Sequence, residues 1–328
     1  MKKAVLIILA LVTAALITEA VISSLIRYPA FGVLYKVRYR VGGETWSNIR
    51  KPHAKYYNVE NRTLTNYNNY GLPGKDIDDL HNPIVLLGNS LVEALQYKPE
   101  YIASTVFENA LRKNDPTTDV VNLGCSGHDP YDSYFRLKYF EKKLGMNTEE
   151  VLLIVSGDAV NWFKRHPQPF RFELGPEFGK VNNNPLVKLQ IKLRNSSSLI
   201  EVIVKGILKD ITGDNRGDEL EQAVKQIDGS EQGMPDSRYD LSQEMQDCLI
   251  AYSKDYDGFI VVSISAEGAF NSTLENFCRE NQIECIFVPI LKPENLINGA
   301  GHINHKGNQE LGSQMAHEYL KLRAGNQL

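Results

Sequence analysis

Apolar and polar positions divide the chain into three regimes. The first is one apolar run, Ala4 to Ile26, preceded by Lys2 and Lys3 and interrupted by Thr13, Thr18, Glu19, Ser23 and Ser24 but by no basic side chain. Its 23 residues, at about 1.5 Å of rise each, cover the ~30 Å hydrocarbon core of a bilayer as a helix. The second regime, residues 28–82, is rich in Tyr, Asn and Arg without sustained periodicity, and reads as a stalk and irregular lead-in. From Pro83 onward, short β-rich runs alternate with helical patterns: Ile84–Leu87, Val120–Asn122, Val151–Val155, Phe259–Ile264 and Cys285–Pro289. Strands spaced by helix-length connections predict an α/β domain with a five-stranded parallel sheet and helices on both faces.

The alternation is interrupted between about residues 164 and 240. Pro, Asn and Gly clusters there surround an apolar helical run, Leu199–Leu208, and an acidic, Gly-containing segment, Asp214–Asp236. This stretch reads as an insertion over the sheet top, part lid and part loop. The predicted organisation is a membrane helix over 1–27, a stalk over 28–82 and an α/β domain over 83–328.

Two readings fit the amino terminus: an uncleaved signal anchor, and a cleaved signal peptide with Thr18-Glu19-Ala20 as a poor cleavage site. The anchor is favoured because the apolar run continues past Ala20. Lys2 and Lys3 argue for an inside amino terminus, while Arg27, Lys36, Arg38 and Arg40 oppose it. The lack of any other apolar span favours an extracytoplasmic body on a single-pass anchor.

Composition then narrows the classes. Hydrophobic residues at 42% and charged ones at 23% exclude a disordered, collagen-like or mainly membrane-embedded chain. With 36 Lys and Arg against 40 Asp and Glu, the balance gives no support to nucleic acid as a partner. Cys125, Cys248, Cys278 and Cys285 form neither a disulfide framework nor C-x-x-C pairs. Cys278 and Cys285 could form one bridge in an exported body, the alternative being small buried thiols left unpaired. His302 and His305 lack the further ligands of a metal site, so no metal and no cofactor is expected. Lys164-Arg165-His166 reads as a solvated basic loop.

Ligands of open parallel sheets bind at the carboxyl ends of the strands. After the first core strand stands Gly88-Asn89-Ser90-Leu91, a strand-to-helix turn where a serine is either a nucleophile near a helix amino terminus or an ordinary N-cap. The second strand leads into Asn122-Leu123-Gly124-Cys125-Ser126-Gly127-His128-Asp129, and the third into Ser156-Gly157-Asp158-Ala159-Val160-Asn161. Glycines at such loops let backbone N–H groups approach an oxyanion. Before the last helical run comes Gly301-His302-Ile303-Asn304-His305-Lys306-Gly307, placing a histidine where it can act as general base.

In this order these pieces resemble the SGNH, or GDSL-like, hydrolase superfamily, over roughly Asn66 to Leu320. Asn66–Gly74 is similar to the lead-in of its bacterial exported or membrane-anchored branch. The resemblance implies a three-layer α/β/α fold of flavodoxin-like type, with Ser90 as nucleophile, His302 as base, and an oxyanion hole from Ser90, Gly127 and the third-block position, here Asp158. Departures stand beside the matches: Asn89 replaces the family's Asp, and Asp158 replaces an Asn side-chain donor, with Asn161 three residues on. Gly299 and Ala300 occupy the places of the acid before the histidine. Catalysis would then rest on a Ser90–His302 dyad or borrow a carboxylate such as Asp158 or Glu294. Tyr131, Tyr134 and Trp162 are candidates for stacking on a sugar ring. The implied activity is hydrolysis or transfer of an acetyl or acyl ester of a cell-envelope glycan or lipid. The alternative is a degenerate SGNH-fold protein that binds glycan or serves as a scaffold in the envelope.

Overall fold

The structure, a computed structural model, describes residues 7, 10–19, 31–40, 43–50, 52–58, 63–78, 80, 83–157, 185, 241–297 and 301–325, with 31–48, 56 and 57 described by backbone alone. Asp158, Asn161, Trp162, Lys164, Arg165, His166, Gly299, Ala300 and, but for residue 185, the 164–240 insertion lie outside the described residues.

Five parallel strands form the central sheet in the order β6-β5-β7-β8-β9: β5 (Ile84–Leu87), β6 (Val120–Asn122), β7 (Glu150–Val155), β8 (Gly258–Ser263) and β9 (Glu284–Phe287). The central strands read as continuous apolar runs because both of their faces are covered. Alternate side chains serve opposite layers. Val85, Leu87, Val151, Leu153 and Val155 pack with α3 (Pro130–Leu144), α4 (Gln243–Asp255) and α5 (Gly268–Glu280). Ile84, Leu86, Leu152 and Ile154 pack instead with α1 (Ser90–Glu93), α2 (Ala103–Leu111) and α6 (His305–Gly325). Each fully buried Val, Leu or Ile contributes about 1.5–3 kcal/mol, which makes this two-sided burial the main support of the sheet.

Close contact between α2 and α6 fixes the second layer. A Cβ placed on Gly312 would stand 2.5 Å from Val106 Cβ and 2.6 Å from the Ala103 carbonyl, so only glycine permits this approach. The start of α2 lacks a side-chain cap of its own at Ile102. Asn308 of α6 supplies the acceptor, taking a hydrogen bond from the Ala103 N–H at 3.1 Å.

The lead-in is more ordered than its composition suggests. β1 (Phe31–Arg40) pairs antiparallel with β2 (Gly43–Arg50), and β3 (Lys55–Asn58) with β4 (Thr63–Asn66). Ile49 and Leu72 join the core around Val85 and Leu87, so the packed body begins well before Pro83. Asn68 folds the loop that follows: its Oδ1 accepts from the N–H groups of Tyr70 and Leu72 at 2.9 and 3.0 Å, and its Nδ2 donates to the Lys75 carbonyl. Gly71 (φ 73°) is required there, since a Cβ would lie 2.0 Å from the Arg50 carbonyl oxygen.

At the amino terminus, residues 10–19 are helical, and Ile7, Leu11, Val12, Leu16 and Ile17 are exposed. Among the described residues no helix is long and apolar enough to cross a membrane. The remainder of the Ala4–Ile26 run lies outside them. All four cysteines are free thiols, and Cys278 and Cys285 are neighbours whose hydrogen bond, with burial, raises the pKa of Cys285.

Candidate active site

At the carboxyl end of β5 the chain turns at Gly88, where a Cβ would meet Val92 Cγ2 at 2.4 Å. Asn89 caps α1, its Oδ1 accepting from the Leu91 N–H at 3.0 Å. The cap of α1 is therefore Asn89, and Ser90 is the first helical residue. Ser90 is half-buried, and among the described residues neither its hydroxyl nor its N–H makes a hydrogen bond. The one-turn helix ends at Ala94 in the left-handed region (φ 49°), whose N–H donates to the Ser90 carbonyl at 3.0 Å.

The loop after β6 is pinned at nearly every residue. Asn122, 3% exposed, donates through Nδ2 to the Val92 carbonyl at 2.8 Å and to Ser104 Oγ at 3.0 Å, and accepts from the Gly124 N–H at 2.8 Å. Gly124 lies against α1, a Cβ there meeting the Glu93 nitrogen at 2.5 Å. Cys125 N–H donates to the Gly88 carbonyl at 3.0 Å, and Arg136 Nε to the Leu123 carbonyl at 2.8 Å. Burial pushes the Cys125 thiol up to about 11, which leaves it protonated and inert near neutral pH.

Ser126 is held by Glu93, a buried carboxylate that sequence reasoning missed. Glu93 Oε2 accepts from both the N–H and the Oγ of Ser126, at 2.7 and 2.5 Å, and its other oxygen stands 3.8 Å from the Arg50 guanidinium. Gly127 follows with φ 78° and open space where a side chain would be, and among the described residues its N–H has no acceptor. Asp129 then caps α3, accepting from the Asp132 N–H at 2.6 Å. Nothing in the local pattern marks Glu93 or Arg50, because their partners come from distant parts of the chain.

His302 is half-exposed in the loop before α6. Its carbonyl accepts from the Ile297 N–H at 2.7 Å, and Ile303 bridges to Leu296. Asn304 closes the loop: its Oδ1 takes the Gly307 N–H at 2.8 Å, and its Nδ2 donates to the carbonyls of Glu294 and Leu296. Gly307 sits where a Cβ would meet the Asn295 carbonyl at 2.5 Å, which explains a glycine five residues after the histidine. The His305 ring stands edge-on to Tyr101 (centroids 5.0 Å apart) and near Tyr97 (6.1 Å), seating the start of α6 on the segment that follows α1. The elements bearing Ser90 and His302 thus meet at one sheet edge. No hydrogen bond joins Ser90 to His302 among the described residues.

Other candidates fall elsewhere. Glu294 is exposed, and only its backbone carbonyl is engaged among the described residues. Tyr131 and Tyr134, expected as a stacking surface, are each 5% exposed and belong to the core. They face inward from α3 onto Phe135 and Tyr252, and the Tyr134 hydroxyl donates to Asp255. A carboxylate not anticipated, Glu267, lies beside the third loop, its Oε2 2.9 Å from where a Gly157 Cβ would be.

The carboxyl edge of a five-stranded parallel sheet thus gathers a serine at the first turn, an outward glycine at the second and a histidine before the last helix, which defines an α/β protein with its candidate site at the strand ends. No family model and no curated protein sequence matches this chain. Among solved structures it is similar to a psychrotrophic esterase from a Pseudoalteromonas species, at 13% identity and a TM-score of 0.41 over 74% of this chain and 100% of the other. It is also similar to a catalytic mutant of an acetylxylan esterase from Geobacillus stearothermophilus (11%, TM-score 0.38, 72% and 93% covered). The third likeness is to an M. smegmatis aryl esterase (12%, TM-score 0.38, 74% and 100% covered).

Proposed function

We propose that this chain is a membrane-tethered, extracytoplasmic SGNH-type hydrolase or acyl transferase acting on an acetyl or acyl ester of a cell-envelope glycan or lipid. The observation that carries the reading is the state of Ser90: at a strand-to-helix turn, relieved of capping by Asn89, with its hydroxyl unengaged by described residues. Ser90 Oγ attacks the ester carbonyl carbon while His302 takes its proton. The oxyanion receives the N–H groups of Ser90 and Gly127, the latter on a left-handed glycine that faces open space. Collapse expels the alcohol, which takes the proton from His302 and leaves an acyl-serine. Water or an acceptor hydroxyl then attacks that ester, and Ser90 is regenerated.

By the sequence resemblance alone, Asp158 is assigned the third donor role of this scheme, in which a carboxylate donates only when protonated. Exposed apolar side chains on the helix at residues 10–19 support the tether. A reporter fused after Leu328 should behave as extracytoplasmic, and a cytoplasmic signal from a membrane-bound fusion would overturn the location.

The chemistry is tested by labelling the full-length chain with a fluorophosphonate, which reacts readily only with an activated serine. Wild type should label at Ser90, and Ser90→Ala should abolish both labelling and hydrolysis of p-nitrophenyl acetate with little change in melting temperature. A folded wild type that resists the probe would replace the enzyme reading with that of a glycan-binding or scaffold protein of the envelope.

A further inference from the structure

The short helix α1 carries a second group with a bearing on the site. Ser90 opens the helix and Glu93 closes it, and the Glu93 carboxylate is 3% exposed. A buried carboxylate needs partners, and here the partners are specific: one oxygen takes both donors of Ser126, and the other faces Arg50. Ser126 immediately precedes Gly127. Its N–H is drawn inward to Glu93, while the next residue, in the left-handed region, has no described acceptor for its own N–H and looks onto open space.

We propose that Glu93 is a positioning residue for the oxyanion hole. By gripping Ser126 it fixes the peptide that presents the Gly127 N–H, and because it shares one helical turn with Ser90 it sets that N–H relative to the nucleophile. Arg50, 15% exposed in its side chain at the end of β2, offsets the carboxylate charge, which would otherwise oppose a developing oxyanion nearby. Arg50 also stands over the Tyr67 ring, 5.9 Å from its centroid, so its place depends on the lead-in. The inference rests on the nucleophile reading of Ser90 and adds to it a residue that touches neither substrate nor reacting atoms.

The test compares wild type, Glu93→Gln, Glu93→Ala and Glu93→Asp in the full-length chain. The readouts are the fluorophosphonate rate constant, the fraction labelled at completion, and kcat and KM on p-nitrophenyl acetate. Glu93→Gln keeps an acceptor for Ser126 and should stay within about threefold of wild type, whereas Glu93→Ala should lose about tenfold or more in labelling rate and kcat with KM little changed. Glu93→Asp keeps the charge but withdraws it from Ser126, and should fall as Glu93→Ala does. It carries the test if the alanine variant does not fold.

A structural role alone would lower the labelled fraction and the melting temperature while each labelled site reacted at the wild-type rate, and that pattern would overturn the proposal. So would wild-type rates in Glu93→Asp. Wild type failing to label would overturn the nucleophile reading, and this inference with it.

Discussion

Replacing Asn122 by alanine removes three hydrogen bonds from one buried side chain. Ser104 Oγ can rotate toward another partner, but the Val92 carbonyl and the Gly124 N–H are fixed by the backbone of α1 and of the β6 loop. A buried polar group left unpaired costs about 1–3 kcal/mol, so two orphaned groups set a range of about 2–6 kcal/mol. The structure also tells where in that range the result should fall. A cavity of about 20 Å³ is lined by Asn122, Ser104, Asn68 and Glu108, among others. That is room for a single water, which can move in to satisfy one of the two groups. The expected loss is therefore about 1–3 kcal/mol. Urea unfolding of the purified full-length chain, followed by tyrosine and tryptophan fluorescence, measures it as a lower midpoint at unchanged slope. Ser104→Ala, which removes one of the three partners and leaves the backbone pairs intact, should lose about 1 kcal/mol or less. A loss below about 1 kcal/mol in Asn122→Ala would refute the reasoning, because the backbone groups would then have relaxed to other partners at no cost.

Gly312→Ala should lower the melting temperature, although alanine is the better helix former by about 1 kcal/mol, because its Cβ meets Val106 and the Ala103 carbonyl at distances that force α2 and α6 apart; a rise would mean the helices yield freely. The His128 pKa is held below its ordinary 6.5, first by burial and then by Arg136, against the pull of Asp132, Asp129 and Glu93. The unfolded chain therefore takes up this proton first, and stability should fall as pH drops from about 6.5 toward the depressed folded value, at up to about 1.4 kcal/mol per pH unit. His128→Gln should flatten that part of the curve of melting temperature against pH, and an unchanged slope would assign the acid sensitivity to other groups.

The sheet was legible because its central strands are buried on both faces. Ile84–Leu87 and Val120–Asn122 are the observed strands, and the other three differ from the expected runs by one or two residues at their ends. The turns at Ser90 and Gly127 and the histidine loop were legible for a related reason: each follows a strand or precedes a helix whose pattern is strong. The hairpins β1–β2 and β3–β4 were not, although FGVLYKVRYR sets Phe31, Val33, Tyr35, Val37 and Tyr39 in alternation with mostly Gly and basic residues: that period-2 signal is short and is lost in the Tyr-, Asn- and Arg-rich composition around it. Tyr131 and Tyr134 were misplaced because the orientation of α3 depends on which sheet face it covers, and that is decided by packing. Asn89 looked like a departure from a family pattern. Its side chain turns out to perform the capping that any short polar residue with an acceptor oxygen can provide at that position.

The joint between the lead-in and the sheet bears on how this protein can be cut. A fragment beginning at Pro83, the boundary that hydropathy suggests, would discard Ile49 and Leu72 from the layer around Val85 and Leu87, and would strip Glu93 of the guanidinium beside it. Such a fragment would carry an apolar wound on one face and an uncompensated acid under its serine turn. A cut made ahead of Phe31, at the start of β1, keeps the hairpin that delivers Arg50 and spares both.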